Sequence, residues 1–279
     1  MEPESALATN KPIYRKHFIP LESNLEPFTE LIHELGVLPS LCFQDVLSLD
    51  DPELLAFIPR PAFALILVFP TSDAYQNQKA VEEAMRTECH GSGDGEEVVW
   101  FKQTINNACG LYGILHAVCN GAARSYIGEE CSSFICASYI SQCCLNTCSV
   151  LTSPCTASDS TLSKLLEDSL SLQPDERAKI LEDSEEVESA YATVARQGDS
   201  EVPENPEDEV EFHYVCFVRS PKSGHIYELD GDRKGPIDRG KFEGAEDMLS
   251  EGCLNLVRDF ITKEKGNLNF SLMALVSNE

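Results

Sequence analysis

Apolar residues recur at helical spacing across residues 103–121 (QTINNACGLYGILHAVCNG), with Ala108, Leu111, Ile114, Leu115 and Val118 on one face. Asn106 and Asn107 stand where an N-cap belongs, so the pattern predicts a buried helix with Cys109 and Gly110 in its first turn. Upstream, EPFTELIHELG (26–36) predicts a short helix closed by Gly36. AFALILVF is an unbroken apolar run of strand length, as a fully buried strand would be. Residues 74–89 predict a helix polar on one face, 90–97 (HGSGDGEE) a loop, and VVWFKQT a strand running into the Cys109 helix. Residues 161–181 predict two helices broken at Pro174. EFHYVCFVR (211–219) and HIYELDG (225–231) alternate as strands do, with PKSG as hairpin loop material between them. Residues 244–264 predict a helix, and LNFSLMALVS a last strand. There is no internal repeat and no clear internal boundary, so the expectation is one α+β domain over residues 1–279, with residues 1–13 as its flexible N-terminus.

Composition narrows the classes of function. An apolar content of 42% is ample for a core. The net charge of −26, from 47 acidic and 21 basic residues, argues against nucleic acid or an anionic lipid surface as partner and suits a basic protein or peptide. The start, MEPESALATNK, lacks the basic and apolar regions of a secretory signal. The longest apolar run, Ala62 to Pro70, is too short to span a bilayer. The 12 cysteines are therefore expected as reduced thiols in the cytoplasm or nucleus.

A thiol at a helix start gains from the positive end of the helix dipole, which favours the nucleophilic thiolate. Gly110 would leave room for a substrate backbone. On position alone, a packed core thiol is the better reading of Cys109, so a base must be found for it. His116 lies two helical turns further on, out of hydrogen-bond range, and reads as a packed helix residue. His17, His33 and His90 have no carboxylate at a telling spacing, and His225 opens a strand at an exposed hairpin mouth. His213 differs. With residues 220–223 as the loop, Arg219 faces Gly224 and His213 faces Asp230 directly, on the same side of the sheet. That is the base and orienter a cysteine hydrolase needs, although a one-residue slip would break it. Gln103, six residues before Cys109, could donate its amide to an oxyanion beside the Cys109 N–H; a solvent-facing polar residue is an equal reading.

KQTINNACGLYGILHAV resembles the nucleophile segment of the ubiquitin carboxy-terminal hydrolase family of cysteine peptidases. FHYVCFV followed by GHIYELDG resembles its histidine and aspartate segments. FIPLESNLEPF, FQDVLSLDDPELLAFIPRPAFALILVFP and PDERAKILED are similar to further stretches, and the likeness runs from about Tyr14 to Ser277. The resemblance implies a papain-like α+β fold with a central antiparallel sheet flanked by helices and a knotted backbone. It implies Cys109 as nucleophile, His213 as general base, Asp230 as its orienter and Gln103 as oxyanion donor. The implied substrate is ubiquitin, or a ubiquitin-like protein, carrying a small adduct or short peptide on its C-terminal glycine, cleaved through an acyl-enzyme. Glu22, Glu26 and Asp45 fall where the family places acidic contacts to the arginine-containing tail of the substrate. No cofactor or metal is implied, and a monomer is expected. The rival reading is an inactive ubiquitin-binding or scaffold protein.

Two stretches depart from the family pattern. Residues 182–211 hold twelve acidic residues and one arginine, and read as a solvated loop where the family has a crossover above the active site. Residues 124–160 are longer than the family's link; within them, 131–158 carry six cysteines and no charge. Their spacings lack the paired short repeats of zinc sites, and the expectation is an insert with no catalytic role.

Overall fold

The computed structural model describes residues 14–128, 160–197, 212–244, 246–263 and 269–278. The expected flexible stretch at 1–13, most of the cysteine-rich insert (129–159) and residues 198–211 lie outside the described residues.

The unbroken apolar run forms β3 (Ala62–Pro70), next to the centre of a six-stranded sheet. The other strands are β2 (Leu41–Asp45), β5 (Phe212–Arg219), β6 (Ile226–Leu229), β7 (Ile237–Gly240) and β8 (Ser271–Ser277). Their order is β2-β8-β3-β5-β6-β7, and every neighbouring pair is antiparallel. Strand alternation divides the core in two. Ala64, Ile66 and Val68 of β3, with Tyr214, Cys216 and Val218 of β5, face a cluster built on α1 (Leu25–Glu34) and α4 (Cys109–Val118). Leu65, Leu67, Phe69, Val215 and Phe217 face a second cluster with Leu254 and Val257 of α8 (Glu251–Lys263). The fold is therefore α+β, with helices on both faces of the sheet.

The remaining helices are α2 (Pro52–Leu55), α3 (Asp73–Ala84), α5 (Thr161–Ser169), α6 (Pro174–Asp183) and α7 (Glu185–Val194). Pro174 stands at the start of α6, where its missing N–H costs nothing. Two residues on each side, β1 (Lys16–His17) and β4 (Ile105–Asn106), pair in parallel just before the nucleophile segment.

Four expectations need correction. VVWFKQT is not a strand, because side chains of α4 and the residues after it take the backbone donors that a strand partner would use. Val99 N–H donates to Asn120 Oδ1 (2.7 Å), Phe101 N–H to His116 Nε2 (3.0 Å) and Thr104 N–H to Tyr112 Oη (3.1 Å). Asn106 and Asn107 do not cap α4: the N-cap is Ala108, without a side-chain cap bond, and Asn107 turns the chain at a left-handed φ of 57°. The acidic tract is not loop throughout, since α7 occupies residues 185–194 and buries Val187, Tyr191 and Val194. Finally, the β5–β6 register differs by two residues: Cys216 pairs with Leu229 and Arg219 with Ile226. The turn spans residues 220–225, closed by Ser220 N–H to His225 O (2.8 Å) and Gly224 N–H to Ser220 O (3.1 Å).

Candidate active site

The two-residue shift leaves His213 and Asp230 on the same side, because side-chain direction repeats every second residue. Asp230 is not directly opposite His213. It lies one residue past the end of β6 and reaches back, with Oδ1 2.9 Å from His213 Nε2. Both side chains are buried. Burial opposes the imidazolium, but the Asp230 carboxylate and the neighbouring Cys109 sulfur outweigh it, and the His213 pKa is pushed up. Burial likewise opposes the Asp230 carboxylate, yet His213, Lys79 and the Asp232 N–H hold its pKa well below the ordinary range.

Cys109 opens α4, a helix whose ten residues are all buried, and it lies within hydrogen-bond reach of His213. The N-cap residue, Ala108, has no side-chain oxygen to offer the first-turn N–H groups. The space expected at Gly110 for a substrate backbone is taken from within: a Cβ there would lie 3.2 Å from that of Leu21. Leu21 is held by Tyr214, the residue after His213, whose hydroxyl donates to the Leu21 carbonyl (2.8 Å). Ile19 is held in the same way by Tyr191 of α7 (2.6 Å).

Gln103 is tied to the Asp230 segment. Its N–H donates to the Gly231 carbonyl (2.8 Å), and a Cβ on Gly231 would fall 2.9 Å from that of Gln103. Its side-chain Nε2 donates to the Ile105 carbonyl (3.1 Å), which leaves one amide hydrogen uncommitted, while its Oε1 is buried without a partner. Of the acidic residues, Glu22 is half-buried beside Leu21, and Asp45 is exposed at the end of β2. Glu26 is exposed on the first turn of α1, where it lines an open groove of about 510 Å³ with Glu30, Glu34, His33 and Phe43.

Four other histidines have separate duties. His116 accepts from the Phe101 N–H, and burial lowers its pKa to about 4, so it is neutral. His33 meets the Leu41 carbonyl (2.9 Å), His17 meets Asn106 (3.1 Å), and His225 pairs with Asp238 at the surface (2.9 Å).

Three residues around Asp230 were not visible in the sequence pattern. Tyr75 of α3 donates its hydroxyl to Asp230 Oδ2 (3.2 Å). Trp100, the single tryptophan, donates to the Asp230 carbonyl (3.0 Å). Arg233 approaches Asp230 Oδ2 at 3.6 Å and binds Glu82 at 2.8 Å. Trp100 is itself held by Arg177, a fully buried guanidinium that donates to the Trp100 carbonyl (2.9 Å) and pairs with Glu96 (2.6 Å).

A thiol at a helix start, an imidazole and a buried carboxylate in sequence are the arrangement of a cysteine hydrolase. The sequence profile described as ubiquitin carboxyl-terminal hydrolase, family 1, matches residues 18–262. The chain belongs to that family of cysteine-type ubiquitin hydrolases. It is 31% identical over 258 residues to ubiquitin carboxyl-terminal hydrolase isozyme L1 of Rattus norvegicus, covering 92% of this chain and 96% of that protein. The isozyme L1 of Homo sapiens matches with the same identity and coverage. Among solved structures, the Trichinella spiralis UCH37 catalytic domain bound to ubiquitin vinyl methyl ester superposes with a TM-score of 0.62 at 19% identity, covering 95% of this chain and 98% of that one. At that identity the likeness bears on the fold.

Among the described residues, no helix is long and apolar enough to cross a membrane, and all six cysteines are free thiols.

Proposed function

We propose that this chain hydrolyses the bond between the C-terminal glycine of ubiquitin and a small adduct or short peptide, with Cys109 as nucleophile. The observation that carries this reading is the alignment of Cys109, His213 and Asp230 in a member of the family. Transfer of the Cys109 proton to His213 gives the nucleophile, and the Asp230 carboxylate beside His213 favours the imidazolium that results. The thiolate attacks the glycine carbonyl carbon. The resulting oxyanion is received by first-turn N–H groups of α4 and the free amide hydrogen of Gln103. As the carbon–nitrogen bond breaks, His213 gives its proton to the leaving amine. Neutral His213 then takes a proton from water, which attacks the thioester and frees Cys109. Asp230 holds the imidazole throughout.

Glu22, Glu26 and Asp45 are the proposed carboxylate contacts for guanidinium groups on the ubiquitin tail. Preference for small leaving groups rests on chain connectivity: α7, anchored to Ile19 beside the site, leads through residues 198–211 into the strand that carries His213. The proposed substrate is ubiquitin or a ubiquitin-like protein, and the proposed enzyme is a monomer of the cytoplasm or nucleus. The test is turnover of ubiquitin carrying a C-terminal fluorophore, compared with folded diubiquitin. The expected result is rapid release of the fluorophore and slow or no cleavage of diubiquitin. Equal rates would remove the size argument, and no release would remove the activity.

A further inference from the structure

Asp230 is asymmetric in its surroundings. Oδ1 meets His213 Nε2 and accepts the Asp232 N–H, both at 2.9 Å. Oδ2 receives one hydrogen bond, from the Tyr75 hydroxyl at 3.2 Å; the next donor, Arg233 Nε, stands off at 3.6 Å. The carboxylate is fully buried, so an oxygen without a donor cannot turn to water for one. Without the Tyr75 hydroxyl, rotation toward Arg233 becomes the carboxylate's means of satisfying Oδ2, and that rotation draws Oδ1 away from His213.

The Tyr75 ring is fixed for this task. It is 4% exposed, meets Phe69 edge-on at 4.7 Å between centroids, and lies 6.2 Å from the His213 ring and 6.1 Å from Phe260. The Arg233 guanidinium stands over its face at 5.9 Å. We propose that Tyr75 is a positioning residue for the reaction, holding Asp230 in the orientation that serves His213, with Arg233 as the counter-charge behind both. This rests on the hydrolase reading above and adds a residue 155 positions from its target. Burial and the Asp230 charge raise the Tyr75 pKa well above its ordinary value, so the hydroxyl keeps its proton and remains a donor across the working pH range.

Tyr75→Phe deletes the hydroxyl and keeps the ring. Two readouts are taken on the full chain: turnover of the ubiquitin–fluorophore substrate, and the rate at which iodoacetamide alkylates Cys109, followed by peptide mass spectrometry. Loss of a hydrogen bond to a charged group predicts a fall in kcat of about tenfold or more, with KM within about twofold, since Tyr75 does not reach the surface. Cys109 alkylation at neutral pH should slow in parallel. In an Asp230→Asn background, Tyr75→Phe should cost little more, because it acts through Asp230. A melting temperature that falls while kcat and Cys109 alkylation stay at parental values would overturn the proposal and leave Tyr75 a core residue. So would full additivity with Asp230→Asn. If the parent fails to cleave ubiquitin–fluorophore but Tyr75→Phe still slows alkylation, the hydrolase reading falls and the role of Tyr75 stands.

Discussion

Two ionic regions flank the candidate site, and they differ in what surrounds them. Behind Asp230, the Arg233 side chain is 3% exposed and meets Glu82, Glu83, Glu228 and Asp230, while Arg239 binds Glu228 (2.6 Å) and Glu82 (3.2 Å). At the opposite rim, Arg15 pairs with Glu182 and Asp183, and Lys16 with Glu188, clasping β1 to the α6–α7 corner. The Arg15 side chain is 60% exposed. The chemistry is the same, but water screens one set and not the other. In the rear network, Glu228 and Asp230 are too deep for water to solvate, so removing a cation leaves bare charge inside the protein. At the rim, water reaches Arg15, Asp183 and Glu188 and replaces a lost partner at little cost, and Glu182 is the one buried carboxylate there.

The comparison breaks most easily at Arg233. Arg233→Met should destabilise the fold by about 3–5 kcal/mol, read as a lower urea midpoint, because it strands buried carboxylates. A change within experimental scatter would mean that the rear network is no better shielded than the rim.

A smaller effect is expected from pH. The depressed Asp230 pKa contributes stability that is present above the unfolded value of about 4 and is lost as pH falls through the lower folded value. The raised His213 pKa contributes stability that is complete below about pH 6.5 and is lost as pH rises through the folded value of about 10. The pair is therefore most useful between about pH 4 and pH 6.5 and declines gradually above that. Asp230→Asn removes the charge that sustains the imidazolium, so the alkaline limb of the activity profile should move to lower pH. An unmoved limb would detach Asp230 from His213.

The smallest effect is expected at the rim. Arg15→Ala combined with Lys16→Ala should lower the urea midpoint far less than Arg233→Met, because Glu182 is the one buried carboxylate it releases, and the exposed pairs with Asp183 and Glu188 should contribute nothing in high salt.

Legibility in the sequence followed the range of the contacts. The nucleophile helix, the buried strand Ala62–Pro70 and the strand holding His213 could be read because each is marked within its own segment, the first by helical period, the second by an unbroken apolar run and the third by alternation in the sequence. The relation of His213 to Asp230 survived a wrong register because the error was two residues, not one. The helix α7 had a readable signal, with Val187, Tyr191 and Val194 on one face, but it lay within a dense acidic tract that reads as solvated loop. VVWFKQT has strand composition, and only the donors' partners, Asn120, His116 and Tyr112, show why it pairs with no strand. Tyr75 and Trp100 had no local signal at all, since they meet Asp230 across 155 and 130 residues of chain.

The proposed reaction turns on attack by Cys109 at the C-terminal carbonyl of ubiquitin. The most direct measurement is covalent capture: the chain is incubated with ubiquitin bearing a C-terminal vinyl methyl ester, digested, and the modified peptide identified by mass spectrometry. One ubiquitin per chain is expected, joined to Cys109, with no adduct in Cys109→Ala. Capture at another cysteine, or an adduct that persists in Cys109→Ala, would contradict it.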